Sequence, residues 1–150
     1  MNMKRLALTT LVVFVGVFIT DFLIHSVWLM ETYRATASLW RPELEMGQHM
    51  GWLLLAQFLW SLAFVTIWAR GFAPTAKTPL CAIMYSLFMG VFFETSTLVL
   101  YAVQPFPGSL AAKWFLANVA QAVVMGLVTY SIYRPAPAAT TAPDPEAEPA

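Results

Sequence analysis

Six polar side chains that could bind a ligand or carry a proton lie within long apolar segments of this sequence. They are Asp21, His25, Gln57, Glu94, Asn118 and Gln121. Polar groups at membrane depth are costly and usually face a protein interior or a cavity, so these six are the first functional candidates. At about 1.5 Å per helical residue, Asp21 and Glu94 each lie roughly 13 Å from the same end of their predicted helices. We therefore predict that the six form a ligand-binding cluster in the outer half of a membrane domain.

The two carboxyl groups define the chemistry of this predicted cluster. Two carboxylates at one depth in a low dielectric are costly to ionise together, so one would hold a proton or share it with a neighbouring histidine. Asp21 and His25 are four residues apart, which places both on one face of an α-helix, where they can hydrogen-bond. This combination suits proton transfer, binding of a cation or holding of a polar headgroup. The alternative is that the polar groups only form hydrogen bonds between helices, each of which contributes about 0.6–2 kcal/mol to the stability of the bundle.

A metal or a haem is a weaker possibility, and the sequence leaves the cofactor open. Two thioethers and an imidazole lie close together in Met46, His49 and Met50, and such ligands suit Cu(I). His25 and His49 could ligate a haem axially from neighbouring helices. Cys81 is the only cysteine, so no disulfide and no cysteine pair is predicted. We find no catalytic motif, and we do not expect an enzyme.

The elements that must position these residues are four apolar segments, 6–30, 51–69, 79–103 and 110–133. Only 11% of the 150 residues are charged and 59% are apolar, whereas a soluble domain carries about 25% charged residues. Each segment is close to the roughly 20 residues that span a bilayer as a helix, and backbone groups in lipid must be satisfied internally. The sequence therefore predicts an all-α, antiparallel bundle of four transmembrane helices.

The connections and the two ends complete this organisation. Residues 31–50 mix charged and apolar side chains, which predicts a partly helical outer loop or cap with a helical piece that begins at Pro42. Ser109 is the predicted N-cap of the fourth helix. The membrane domain is predicted over 1–134. The Pro/Ala-rich acidic segment 135–150 cannot bury apolar surface, so we predict a disordered tail.

Small residues recur at helical spacing on the third and fourth segments. Ala82, Ser86 and Gly90 lead up to Glu94 at intervals of four, and Asn118, Ala122 and Gly126 follow the same spacing. Such stripes let helix backbones approach closely. We expect both stripes to face the bundle centre, although a glycine stripe is also a possible surface for oligomerisation.

Basic residues indicate the orientation. With the N-terminus inside, the inner flanks carry five basic residues and the outer flanks carry three, which favours cytoplasmic N- and C-termini. The inner set is Lys4, Arg5, Arg70, Lys77 and Arg134, and the outer set is Arg34, Arg41 and Lys113. The net charge is +0, which gives no basic footprint for nucleic acid. The expected partners are the lipid bilayer and either further copies of the chain or a larger membrane complex.

Three runs of the sequence resemble signatures of small bacterial four-helix membrane proteins of unknown function. They are the run 21–25 (DFLIH), the run 39–42 (LWRP) with Met46, and the run 101–109 (YAVQPFPGS). The resemblance covers about residues 8–134. It implies a multi-pass protein of the bacterial inner membrane with four spans, and it implies no activity.

Two functions therefore remain as hypotheses. The first is a binding or translocation module for a small polar or cationic species that uses the outer polar cluster. The second is a non-catalytic accessory or assembly subunit of a larger membrane complex, in which the same polar groups hold helices together.

Overall fold

The computed structural model describes residues 1–133, and within them it contains helices and no strands. The predicted all-α bundle with four membrane-length helices is confirmed. We refer to Met3–Trp28, Met50–Phe72, Pro79–Val103 and Gly108–Ile132 as the first to fourth spans. The helices are α1 Met3–Asp21, α2 Met30–Ala35, α3 Glu43–Gln48, α4 Met50–Ile67, α5 Pro79–Val103 and α6 Gly108–Ile132. The predictions for Arg134 and for the tail 135–150 lie outside the described residues.

Two of the spans change their helical winding before they end. The first span continues beyond α1 as a π-helix over Phe22–Trp28, and the second continues beyond α4 as a π-helix over Trp68–Phe72. A π-helix bonds residue i to i+5 rather than to i+4, so it rotates the side chains that follow it relative to an α-helix. The first of these changes comes directly after Asp21 and alters the position of His25.

Two predicted helix starts are wrong, the first by two residues and the second by one. The fourth span begins at Gly108 with Pro107 as its N-cap, so Ser109 does not cap it. A Cβ on Gly108 would lie 2.9 Å from the Tyr101 hydroxyl, so the glycine lets this tyrosine pack across the turn. Pro42 is the N-cap of α3 rather than its first residue, and its ψ of 149° is extended.

Each span packs mainly against two others. Helix α1 packs against both α4 and α6, α6 packs against α5, and α5 meets the second span through the π-helix Trp68–Phe72. At the end of the bundle that carries the chain's N-terminus, the Asn2 backbone N–H donates to the Tyr133 hydroxyl over 3.1 Å. We call this end the inner end, and we call the opposite end, which carries residues 29–49, the outer end.

The two stripes of small residues form the contact between α5 and α6. Gly90 and Gly126 are buried, and a Cβ on Gly90 would come within 2.9 Å of the Ala122 Cβ. A Cβ on Gly126 would overlap the Ser86 side chain. The prediction that the stripes face the bundle centre is confirmed. Each glycine is covered by the other helix of the same chain, and oligomerisation stays a prediction.

Large side chains fill the inner half of the bundle. Phe64 and Trp68 are fully buried, and both pack their rings against Tyr85. The Tyr85 hydroxyl donates to the Phe64 carbonyl over 2.5 Å, so its polar atom is satisfied inside this core. The inner half is therefore closely packed, and the space between the helices lies in the outer half.

The loop 31–50 forms a cap on the outer end, as its composition predicts. Helix α2, a 3-10 turn at Ala37–Leu39 and α3 follow the first span. The buried centre of the cap is apolar, and four half-buried side chains, three of them aromatic, pack against it. The centre consists of Leu29, Phe106, Leu110 and Ala111, and the surrounding side chains are Ile24, Tyr33, Trp40 and Trp114.

Candidate functional site

All six polar side chains singled out in the sequence line one cavity of about 270 Å³ in the outer half of the bundle. All four spans contribute to its wall. The remaining lining residues are Val17, Ala56, Trp60, Gly90, Phe93, Ser96 and Ala122. Ala56 of the second span and Ser96 of the third are the exposed members of this set, so the mouth of the cavity lies between these two spans. The ligand-binding role of the six stays a prediction, but their juxtaposition is a feature of the fold.

Asp21 links three of the spans at the cavity wall. Its Oδ2 accepts a hydrogen bond from Gln57 Nε2 of the second span over 2.5 Å. Its Oδ1 accepts from Gln121 Nε2 of the fourth span over 2.6 Å. Since hydrogen bonds to a charged group are stronger than neutral ones, this carboxylate holds the outer halves of the three spans together.

Glu94 links the third and fourth spans through a hydrogen bond, as Asp21 links the other spans. Its Oε1 accepts from Asn118 Nδ2 over 2.9 Å, and its Oε2 accepts from the Thr97 hydroxyl over 2.6 Å. Glu94 is 8% exposed, so these two donors replace most of its hydration. In both acidic side chains each oxygen accepts a hydrogen bond, which is the pattern of an ionised carboxylate. Within residues 1–133 the two carboxyl groups are not bonded to each other, so the structure gives no shared proton between them.

The two carboxylates fix the orientation of two side-chain amides. A carboxylate only accepts, so the NH₂ groups of Gln57 and Asn118 must point towards Asp21 and Glu94. The amide oxygens then point away from the carboxylates, and Gln57 Oε1 and Asn118 Oδ1 are buried without a hydrogen-bond partner. A buried polar atom without a partner costs about 1–3 kcal/mol. Both residues line the cavity, but these two oxygens are closed off from it.

The predicted hydrogen bond between Asp21 and His25 is not formed. His25 lines the same cavity, but its Nδ1 lies 2.6 Å from the hydroxyl of Tyr33 in the cap. The reason is the π-helix that begins at Phe22, because its wider turn removes the i,i+4 alignment on which the prediction depended.

Tyr33 joins the cap to the cavity. Its hydroxyl oxygen accepts from Trp114 Nε1 over 2.7 Å, so its own proton is free to donate to His25 Nδ1. His25 then carries its single proton on Nε2 and is neutral in this arrangement. Burial raises the pKa of Tyr33, the hydrogen bond from Trp114 lowers it and the negative charge of Asp21 raises it, and together they bring the pKa to about 12. The phenol therefore stays protonated well above the physiological range.

Replacing Tyr33 should remove an alkaline transition of the cap. In an unfolded chain a tyrosine ionises near pH 10, so the raised pKa gives a stabilisation that is complete below about pH 10 and lost as the pH rises to about 12. An ultraviolet titration of tyrosinate should show one phenol that titrates near pH 12 in the parent chain and is missing in Tyr33→Phe. The matched control is Tyr101→Phe, which removes one exposed phenol and should leave this late transition in place. An unchanged late transition in Tyr33→Phe would contradict the assignment.

The sequence did not predict that several other residues belong to this site. Tyr33 lies in a charged loop, and Trp114 follows Lys113 near a helix end, where an interfacial aromatic residue is expected. Trp60 and Phe93 lie in uniformly apolar segments, yet their rings are in contact between the second and third spans, with 5.5 Å between the ring centroids. Such contacts depend on the rotation of each helix, which composition does not fix.

The residues of the copper and haem alternatives lie outside this cavity, with the exception of His25. Met46, His49 and Met50 are exposed around the junction of α3 and α4, and His49 Nδ1 bonds to the Glu45 carbonyl over 2.8 Å. Among residues 1–133, no group of three or more histidine, cysteine, aspartate and glutamate side chains is placed to hold a metal ion. Both alternatives stay predictions that the geometry does not strengthen.

The chain was compared with known proteins by sequence and by structure. It matches no protein-family model, no curated protein and no solved structure. The interpretation of the cavity therefore rests on its own geometry.

Proposed function

We propose that this membrane protein binds a small cation in the cavity of its outer half. The observation that carries the proposal is the pair of carboxylates, Asp21 and Glu94, which come from different spans and line one cavity.

The charge of the wall supports the same conclusion. Two carboxylates line the cavity, and among the residues of its wall there is no lysine or arginine to neutralise them. The Tyr33 hydroxyl can donate to Nδ1 of the neighbouring histidine, and this hydrogen bond needs no positive charge on the ring. A buried charge is stable only when it is paired, and a bound cation supplies the missing pair.

Closure of the inner half favours binding over translocation. The aromatic side chains of Phe64, Trp68 and Tyr85 fill the bundle below the cavity. A ligand that enters between the second and third spans therefore meets a packed floor. We propose a binding protein, not a channel, in which the cap and the first span hold the site.

A titration with simple salts tests this proposal. The purified protein, in nanodiscs of phosphatidylcholine, is titrated with the chlorides of sodium, potassium, calcium and n-butylammonium while its tryptophan fluorescence is recorded. We expect a saturable change with at least one of the four, because Trp60 lines the cavity. Gln57→Met removes the donor that holds Asp21 at the cavity wall and should weaken binding by about tenfold, since a hydrogen bond to a charged group is worth about 1.5–3 kcal/mol. Gln48→Met, in the exposed α3, is the matched control. Failure of all four cations to bind would refute the proposal.

We further propose that the protein lies in the bacterial inner membrane with its described N-terminal end in the cytoplasm. The basic residues of the inner end and the resemblance to bacterial four-span proteins support this orientation. With Cys81 replaced by serine, a cysteine at Ser38 in the cap should react with an impermeant maleimide in intact cells. A cysteine at Thr75, in the inner connection, should react only after permeabilisation. The reverse pattern would contradict the orientation.

A further inference from the structure

We propose that one acyl chain of a phospholipid lies in the mouth of the cavity, between the second and third spans, and completes the cavity wall. The inference goes beyond the proposed function, because it concerns the gap in the wall and holds with or without a bound cation. It starts from Ala56 and Ser96, the two exposed residues of the cavity lining, which lie on opposite sides of the mouth.

The mouth lies at a depth where a bilayer consists of hydrocarbon. Ala56 is the sixth residue after Met50, where the second span begins, and Ser96 is the seventh before Val103, where the third span ends. At about 1.5 Å per residue, both lie about 9–10 Å below the outer ends of their spans. The third span has 25 residues, so it exceeds a hydrocarbon core of about 30 Å by only a few ångströms at each end. The mouth therefore opens among acyl chains.

Two aromatic rings close the gap between the second and third spans from below. The ring centroids of Trp60 and Phe93 are 5.5 Å apart, and each residue lies about 15 Å from the outer end of its span, near the middle of the membrane. Further towards the inner end, α5 meets the π-helix Trp68–Phe72 of the second span. The gap is therefore a slot confined to the leaflet at the outer end, with the two rings at its base.

The rim of this slot is apolar and continuous with the lipid-facing surface. Leu53 lies three residues before Ala56 and Leu100 lies four residues after Ser96, so each shares a helix face with the mouth residue of its span. Leu53 is 51% exposed and Leu100 is 40% exposed. The Ser96 hydroxyl donates to the Phe93 carbonyl over 2.7 Å, so its proton is already used. The rim therefore suits a hydrocarbon occupant.

Packing forces explain why such a slot holds a lipid chain. A gap between two helices loses dispersion contacts on both of its walls unless other atoms fill it. In lipid no hydrophobic force draws the two spans together, so van der Waals packing decides what fills the gap. The material that the bilayer supplies at this depth is a chain of methylene groups, which runs parallel to the spans as the slot does. The small side chains of Ala56 and Ser96 leave room for it above Trp60 and Phe93.

Photolabelling of the whole chain in nanodiscs tests the inference. The nanodiscs contain a phosphatidylcholine with a diazirine near the middle of one acyl chain, and the labelled residues are mapped by mass spectrometry after irradiation. We expect an adduct on Glu94, which is 8% exposed, lines the cavity and carries a carboxyl group that photolysed alkyl diazirines label readily. A chain that stays on the outer surface would label the exposed Phe92 and would not reach Glu94.

A tryptophan at the mouth should exclude the lipid chain. Ala56→Trp should lower the labelling of Glu94 about tenfold, which corresponds to about 1.4 kcal/mol of binding free energy. The matched control is Ala120→Trp, at an exposed position of the fourth span outside the cavity lining, and it should leave the labelling unchanged. Circular dichroism checks that both variants are folded, and the parent chain alone decides the test if Ala56→Trp does not fold.

The outcomes separate a lipid chain from other occupants of the mouth. Absence of the Glu94 adduct from the parent chain would overturn the inference, and so would equal labelling of the parent and a folded Ala56→Trp. An unlabelled Glu94, together with chemical crosslinking of the chain to a second copy, would assign the mouth to that copy instead. None of these results depends on the titration with cations, so failure of this inference is distinguishable from failure of the proposed function.

Discussion

Glu94→Gln is expected to weaken cation binding by about 100-fold while the bundle stays folded. Truncation of one partner in a buried, hydrogen-bonded charge pair costs about 2–5 kcal/mol, and 2.8 kcal/mol corresponds to roughly 100-fold in affinity. The fold should survive because the glutamine can keep both hydrogen bonds. Its oxygen can accept from Asn118, and its NH₂ can donate to the hydroxyl of Thr97, which also accepts.

This substitution also distinguishes the two functions that the sequence left open. If the polar groups only hold helices together in an accessory subunit, Glu94→Gln should change neither cation binding nor stability, whereas Glu94→Ala should lower the stability. The measurement is the fluorescence titration combined with thermal unfolding of the same samples. Glu43→Gln, on the exposed first turn of α3, controls for the loss of one negative charge. Unchanged cation affinity in Glu94→Gln would contradict the binding function.

Asp21→Asn is a less decisive test than Glu94→Gln, because the new side chain cannot accept from both residues that donate to Asp21. Both oxygens of Asp21 accept from NH₂ groups, so an asparagine, with one oxygen and one NH₂, cannot serve Gln57 and Gln121 together. One of the two glutamines must therefore turn and present its oxygen to the asparagine NH₂. Loss of binding in this variant would therefore combine a lost charge with a rearranged wall.

Gly126→Leu should prevent the bundle from assembling. A Cβ at this position would overlap the Ser86 side chain and lie 3.1 Å from the Ala82 carbonyl oxygen, which belongs to the backbone of α5 and cannot move alone. Overpacking of a close contact typically costs about 1–3 kcal/mol for smaller changes, and a leucine adds three further carbon atoms. We therefore expect a loss above about 3 kcal/mol, seen as aggregation during purification or as early unfolding in SDS.

The control for this prediction is Gly51→Leu. A Cβ on Gly51 has nothing within 4 Å, although Gly51 also lies in a membrane span, in the first turn of α4. The same chemical change at an open position should alter the stability by a few tenths of a kcal/mol. Equal tolerance of leucine at both glycines would show that α5 and α6 do not pack through their stripes.

The sequence predicted those features of the fold that depend on composition and on spacing along one helix. The four spans follow from apolar length, and the inward orientation of Ser86, Gly90 and Glu94 follows from their interval of four. The prediction that Asp21 and Glu94 lie close together followed from their equal depth in the membrane, which is the number of residues from the helix end multiplied by the rise of a straight helix.

The missing features depend on how the helices are rotated and how they end. The π-helix after Asp21 has no sequence signature that we recognise, and it moved His25 from the predicted aspartate to Tyr33. The free oxygens of Gln57 and Asn118 could not be predicted either, because an amide is oriented by whichever partner its neighbours supply in space. The members of the cluster could therefore be predicted from the sequence, and only the packed structure showed which partner each amide has.

The link from Asp21 to Gln121 has a consequence for biosynthesis. The glutamine is encoded 100 residues after the aspartate, and at about 5–20 residues per second a ribosome needs about 5–20 s to make that stretch. During this interval the first span carries a carboxylate that lacks its partner in the fourth span, and a lone aspartate at a helix centre costs about 2.5–3.5 kcal/mol on insertion scales. We therefore expect the first span to stay beside the insertion machinery until translation of the last span is complete. Nascent chains arrested before Gln121 should then crosslink to that machinery, and full-length chains should be released from it.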